Sequence, residues 1–309
     1  MTVSQKITIY INDFDVQNPS PTSDPSIEAL GLMAHDIATS GFTVGVFWAL
    51  HVRANGDFAY NDGDPIVSGG QLQPGFAHLP ALIAAMKARG NLVQLLFSVG
   101  GWSCESDFVN IKAMIDQYGT GSANPLYANF QALKTALSVD GIDIDLEANS
   151  SPAPYAHPYG YYTDTLVSLA GMLDGLDMTT TFCPYTDQDF WIGCLANIYA
   201  ANGNRQLVTT MNLQCYDGGG SNTQSQWVGS LQQAASPLGI ANVPAFVVPG
   251  YDAQQTPPPA LQTTFADATQ MTSGIVGGFV WNHSEVLQSG NPVSAYASAI
   301  VDGIAALGA

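Results

Sequence analysis

Between Val139 and Asn149 the chain reads Val-Asp-Gly-Ile-Asp-Ile-Asp-Leu-Glu-Ala-Asn, which places Asp140, Asp143, Asp145 and Glu147 within one short stretch. Side chains of an extended strand alternate faces, so Asp143, Asp145 and Glu147 share one face and Ile142, Ile144 and Leu146 share the other. A solvated edge strand shows the same alternation. Acidic residues at odd spacing also build calcium loops, but those need turn-forming residues between flexible oxygen ligands, and Ile, Ile and Leu make no loop. Asp is disfavoured in strands, so an acidic face opposite an apolar one points to chemistry. In a parallel barrel the apolar face lies under helices and the acidic face turns toward the barrel axis. Three like charges cannot all be ionised cheaply there, which predicts a shared proton and a Glu147 pKa pushed up toward the working pH.

The rest of the chain fits a strand of that kind. Short β-branched runs alternate with helical patterns, the signature of repeated βαβ units. Eight strands are predicted: Lys6 to Asn12, Thr43 to Leu50, Leu92 to Val99, Asp140 to Glu147, Met178 to Pro184, Val208 to Tyr216, Val243 to Pro249 and Gly274 to Trp281. Helices are predicted at Ser26 to Thr39 (capped by Asp24, with Pro25 at its start and Gly41 as its stop), Leu79 to Arg89, Pro125 to Leu137, Gly160 to Leu173, Asp189 to Ala201, Gln224 to Ala235, Pro259 to Met271 and Pro292 to Leu307. Eight such units in 309 residues match a single (β/α)8 TIM barrel. A doubly wound sheet, the alternative, usually needs fewer strands. The longer connections, with Asn61-Asp62-Gly63-Asp64-Pro65 after strand two and Gly119 to Pro125 after strand three, are expected at the substrate rim. Only residues 250 to 273 separate strands seven and eight, which predicts an open groove, and no repeat or appended binding module is read.

Composition excludes several partners. Lys and Arg total 7 against 25 acidic residues, a net charge of −18, which argues against nucleic acid and anionic membrane surfaces. A neutral polysaccharide is compatible with that charge. No run is long and apolar enough for a membrane span, and the first residues lack a leader pattern. Cys104, Cys183, Cys194 and Cys215 show no paired metal-ligand spacing, so neither a metal nor a cofactor is expected. Cys183 and Cys194 are read either as a short disulfide or as free buried thiols.

The run Asp140-Gly141-Ile142-Asp143-Ile144-Asp145-Leu146-Glu147 resembles the active-site signature of the family-18 glycoside hydrolases, the chitinases and their relatives. The resemblance implies a retaining, substrate-assisted reaction. Glu147 would protonate the glycosidic oxygen and later activate water. The 2-acetamido carbonyl of the sugar would attack the anomeric carbon to give an oxazolinium, with Asp145, backed by Asp143, holding the amide N–H and Tyr216 donating to the carbonyl oxygen. Ser98-Val99-Gly100-Gly101-Trp102 is similar to the family's Ser-x-Gly-Gly motif, and Met211, Gln214 and Asp217 fall on its substrate-binding positions. Trp281 would floor the distorted sugar, and Tyr10, Phe47 and Tyr185 are further expected contacts. Cys183-Pro184-Tyr185 is similar to the compact hevamine-type chitinases of plants and bacteria. Ala148-Asn149 departs from the aromatic residue many chitinases carry there.

Three functions follow from this resemblance. One is an endo-acting chitinase cutting β-1,4 linkages between N-acetylglucosamine units. The second is an endo-β-N-acetylglucosaminidase acting on N-glycan cores, which shares the signature. The third is a chitin-binding lectin, a class that typically has lost the acid retained here as Glu147. A monomer acting outside the cell is the expected setting.

Overall fold

The computed structural model describes residues 5–12, 32–61, 63–147, 157–217 and 222–306. Eight parallel strands close into a barrel: β1 (Lys6–Ile11), β2 (Val44–Val52), β3 (Gln94–Gly101), β4 (Gly141–Leu146), β5 (Thr179–Phe182), β6 (Val208–Gln214), β7 (Val247–Asp252) and β8 (Gly277–Trp281). Each pairs with the next in sequence, and β8 pairs back with β1 to close the ring. The predicted (β/α)8 barrel is therefore the observed fold.

The period-two pattern of β4 is realised as read. Ile142, Ile144 and Leu146 are buried in the large apolar layer between strands and helices. A second, smaller cluster fills the barrel itself, built from Tyr10, Val44, Val46, Leu96, Cys183, Val248 and Phe279. This apolar plug occupies the inward positions and leaves polar inward residues above it on β3 to β6.

The ring of helices comprises α1 (Leu32–Thr39), α2 (Leu79–Arg89), α3 (Glu105–Tyr118), α4 (Pro125–Leu137), α5 (Tyr159–Gly175), α6 (Gln188–Ala201), α7 (Gln224–Gln232), α8 (Pro258–Met271), α9 (His283–Ser289) and α10 (Val293–Ala305). The cap expected at Asp24-Pro25, residues 26–31, Asp62, Ala148, Asn149 and Leu307 lie outside the described residues. Two helices rather than one follow β3: α3 buries Phe108, Ile111 and Met114 on one face, and α4 starts at the predicted Pro125, where the Asn124 side chain caps Leu126 N–H. Gly119 to Pro125 is the turn between these helices.

The connection after β2 also departs from a simple loop. It forms an antiparallel ribbon (Phe58–Tyr60, Pro65–Ser68, Gln71–Leu72) continuing from β2. Its Phe58 packs on Phe130 of α4, and Asn129 ties it down by accepting Gly70 N–H and donating to Gly56 O. Strand seven begins later than predicted because Asn242 caps a helical turn over Val243–Phe246 with Pro244 in its first positions. Between β7 and β8 the helix α8 is the only element, in keeping with the short connection.

Gly141 starts β4 where the neighbouring strand comes too close for a side chain. A Cβ there would lie 2.1 Å from Thr179 O, a backbone atom that cannot rotate away. Gly193, inside α6, would meet nothing within 4 Å. Gly141→Ala is expected to destabilise the fold by roughly 1–3 kcal/mol, and Gly193→Ala to stabilise it by roughly 0.5–1 kcal/mol through helix propensity. Urea unfolding of both variants checks this; equal stabilities would contradict the close β4–β5 approach.

Candidate active site

The three inward carboxylates of β4 occupy successive levels of the barrel and differ in what surrounds them. Asp143, fully buried, lies deepest. Four donors from four other strands reach it: Tyr10 Oη at 2.9 Å, Ser98 Oγ at 3.1 Å, Thr181 Oγ1 at 2.5 Å and Asn212 Nδ2 at 3.0 Å. Burial pushes its pKa up, and these hydrogen bonds hold it down.

Asp145, one level above, receives fewer. Trp48 Nε1 donates to Oδ2 at 3.1 Å and Gln214 Nε2 to Oδ1 at 3.0 Å. Burial, then the Glu147 charge, then the Asp143 charge push its pKa well above the carboxylate range. Glu147 directly follows β4 and is 9% exposed, so it is the carboxyl that meets solvent at the barrel mouth. Burial raises its pKa, while hydrogen bonds from Gln214 Nε2 (3.0 Å) and from Asp145 oppose the rise. Asp145 and Glu147 thus form a hydrogen-bonded pair of raised carboxyls, an arrangement suited to sharing one proton.

Aromatic side chains wall the column. Trp281 lies nearly parallel to Tyr216 (20°, centroids 6.3 Å apart) and edge-on to Trp48 (86°, 5.2 Å), with Tyr10 at 5.5 Å. Burial keeps Tyr216 a neutral phenol, and its hydroxyl donates to Gln214 Oε1 at 3.1 Å. Gly100 and Gly101 carry φ of +104° and +110°. A Cβ on Gly101 would come within 2.6 Å of the Trp48 indole, and one on Gly100 within 2.3 Å of Asp145 O, so the pair makes room for Trp48 to reach Asp145. Trp102 is 51% exposed at the rim, its ring 6.2 Å from that of Tyr185, and Tyr185 Oη reaches Asp217 Oδ1 at 3.5 Å.

The structure gathers Tyr10, Ser98, Gly100, Gly101, Asp143, Asp145, Glu147, Gln214, Tyr216 and Trp281 around one column, with Trp102, Tyr185 and Asp217 at its rim. Two expected contacts are placed elsewhere. Phe47 is wholly buried in the outer apolar layer, 5.2 Å from Phe97, and Met211 is buried in the same layer. In each case the next residue faces inward: Trp48 to Asp145, and Asn212 to Asp143. Thr181 is a further donor that sequence reasoning missed. So is Asn222, whose amide donates to Tyr185 O, Gln214 O and Asp217 O and fastens the ends of β5 and β6.

All four cysteines are free thiols. Cys183 faces the barrel interior and Cys194 the outer layer, on opposite sides of the sheet, so the expected alternative of a disulfide between them is excluded. Among the described residues, the group with metal-ligand convergence is not the acidic column but His51, Cys104 and Asp107.

The elevated pKa of Asp145 fixes a sign for stability. A carboxyl whose folded pKa is raised stabilises the fold fully below the unfolded value and loses that contribution as pH rises through the folded value. The Tm of Asp145→Asn is therefore expected to gain on wild type as pH climbs from about 4, with the two close together in more acidic solution. A Tm difference independent of pH would contradict the burial of this carboxyl.

No family model matches the sequence, and no curated protein matches it. Solved structures do match along the chain. The Group IV chitinase of Ostrinia furnacalis in complex with allosamidin aligns with TM-score 0.61 at 11% identity, covering 98% of this chain and 99% of that one. A family GH18 chitinase of Cycas revoluta, also in complex with allosamidin, aligns with TM-score 0.59 at 11% identity over 94% and 98%. Human YKL-39, described as a pseudo-chitinase with retained chitooligosaccharide binding, aligns with TM-score 0.61 at 11% identity over 99% and 100%. From end to end, this chain is built on the fold of the family-18 glycoside hydrolases.

Proposed function

We propose that the protein is an endo-acting chitinase that hydrolyses β-1,4 linkages between N-acetylglucosamine units with retention of configuration. The observation that carries this reading is the Asp145–Glu147 pair: a proton-sharing acid at the barrel mouth, backed by a carboxyl that is held from below by Trp48 and Gln214. Asp145 sits beneath the acid on the same strand and not across a substrate from it, so the nucleophile comes from the sugar.

In this mechanism the proton shared by the Asp145–Glu147 pair moves onto Glu147, which gives it to the glycosidic oxygen as the C1–O bond breaks and leaves Asp145 as a carboxylate. The acetamido carbonyl oxygen closes on C1 to form the oxazolinium, whose N–H is held by Asp145. The neutral Tyr216 phenol donates to the carbonyl oxygen and steadies it for attack. Water then adds to C1 from the vacated side, Glu147 takes its proton, and the acetamido group is released. The stacked Tyr216 and Trp281 provide the apolar bed on which the sugar is distorted. An extracellular monomer working on chitin is part of this proposal.

The structural neighbours support sugar recognition on this scaffold, but they include both chitinases and a pseudo-chitinase, and so leave the choice to this chain's own residues. Retention of Glu147, Asp145, Asp143 and Tyr216 in one connected network favours a hydrolase over a lectin. The short β7–β8 connection leaves the groove open, which also suits a branched glycan core, and the two substrates separate those readings.

Wild-type protein is expected to cleave N-acetylglucosamine oligomers and leave a high-mannose glycoprotein intact. Glu147→Gln is expected to bind the oligomers while losing about 10²–10⁴-fold in kcat, and Tyr216→Phe to lose less. Full activity in Glu147→Gln would remove the acid from this account, and release of the glycan alone would move the protein to the glucosaminidase class.

A further inference from the structure

Outside the acidic column, one cluster of side chains has no part in the proposed reaction. His51 lies on β2 near its end, Cys104 immediately precedes α3, and Asp107 lies in the first turn of that helix. Their donor atoms all lie within 4.8 Å of one another, with His51 Nδ1 2.9 Å from Asp107 Oδ2. The loop that delivers Cys104 is tightly wound: Gly100, Gly101 and Ser103 all have positive φ. Asp107 is buried, and its other oxygen accepts Val52 N–H at 2.9 Å, while the His51 side chain is 23% exposed.

Two chemistries use a thiol, an imidazole and a carboxylate. In a nucleophilic relay the imidazole stands between the other two, bonding the carboxylate through one ring nitrogen and the thiol through the other, which holds sulfur and oxygen well apart across the ring. Here all three donor atoms converge, the arrangement a cation requires. The set contains one nitrogen, one sulfur and one oxygen donor. Calcium and magnesium select oxygen ligands, and copper(I) selects sulfur. A mixed set of borderline softness, with three protein ligands and a fourth position open to water, suits zinc.

We infer that His51, Cys104 and Asp107 form a zinc-binding site distinct from the carboxylates of β4. Binding replaces existing bonds by stronger ones. Cys104 gives up its proton, and with it the 3.3 Å hydrogen bond to Trp102 O. His51 Nδ1 sheds the hydrogen it gives to Asp107 and binds the metal through the freed lone pair, so both the thiol and Nδ1 give up a proton on binding. Thiolate and carboxylate together neutralise the divalent charge. The Val52 N–H on Asp107 is the outer-shell hydrogen bond that orients a ligating carboxylate. Because Cys104 is two residues from the rim residue Trp102, occupancy fixes the loop bearing Trp102 without touching Glu147.

The test is titration of chelator-treated protein with Co2+ as a spectroscopic probe, followed by competition with Zn2+. One Co2+ per chain is expected, with a sulfur-to-cobalt charge-transfer band that Zn2+ abolishes. Loss of an outer-shell partner typically costs about 10–100-fold in affinity, so Cys104→Ser and His51→Gln, which remove ligands, are expected to lose about 100-fold or more, and Cys104→Ser to lose the band. Cys104→Ser is nearly isosteric, and circular dichroism verifies that it folds. Zn2+ is also expected to raise the Tm of wild type but not of Cys104→Ser. Weak binding at several sites, a spectrum without the sulfur band, or Zn2+ affinity unchanged in Cys104→Ser would overturn the assignment. None of these readouts depends on glycosidase activity.

Discussion

Desolvation of like charge inside a closed sheet is the constraint on which the rest of this protein depends. A buried ion costs several kcal/mol even after relaxation, while a hydrogen bond to a charged group returns about 1.5–3 kcal/mol. Asp143 collects four such bonds and Asp145 two from its cage. Burial raises Asp143 while its four donors oppose the rise, whereas Asp145, poorer in donors and pressed between two carboxyls, is pushed well above the carboxylate range. The donors come from β1, β2, β3, β5 and β6, so the column is tolerable only once the ring has closed. Closure of the barrel and assembly of the site are one event.

Gln214 transmits that order to the mouth of the barrel. Its Oε1 accepts from Tyr216, which fixes the amide so that Nε2 faces both Asp145 and Glu147. Its backbone is held in turn by Asn222 and by Pro184 O. Glu147, Asp145 and the Tyr216 phenol are therefore positioned by one side chain on a strand end tied to its neighbours, which on the proposed reaction is the preorganisation expected of a site that handles charge as it develops. The glycines after β3 serve the same end from the other side by letting the Trp48 indole lie close to the backbone.

The acidic strand β4 was legible because alternation of Asp and Ile is a purely local signal. The eight strands and most helices followed from comparable local patterns, and Leu79–Arg89 and Pro125–Leu137 have the ends that their proline and glycine punctuation predicts. Phe47 and Met211 were expected at the site and instead face the helices. In β2 the residues on both faces are bulky or apolar, so no local pattern says which face turns inward; in β6 Met211 and Leu213 alternate with Thr210, Asn212 and Gln214, and the strand period puts Met211 on the face opposite Gln214. Trp48 and Asn212 become recognisable only once Asp145 and Asp143 are seen to need donors. The helix α3 and the ribbon after β2 escaped for a related reason, since packing against each other and against α4 decides their form. The convergence of His51 with Cys104 and Asp107 spans β2 and the start of α3, a separation that no ligand-spacing rule covers.

The central claim is that the site supplies an acid and a cage and borrows its nucleophile from the sugar. Product analysis on partially acetylated chitosan tests this most directly, because sugars with and without the acetamido group compete for the same donor position in one polymer. If the acetamido group attacks, every newly formed reducing end is N-acetylglucosamine, even where deacetylated segments bind well to this acidic surface. Frequent glucosamine at the new reducing ends would show that the protein carries a nucleophile of its own and would contradict the account at its centre.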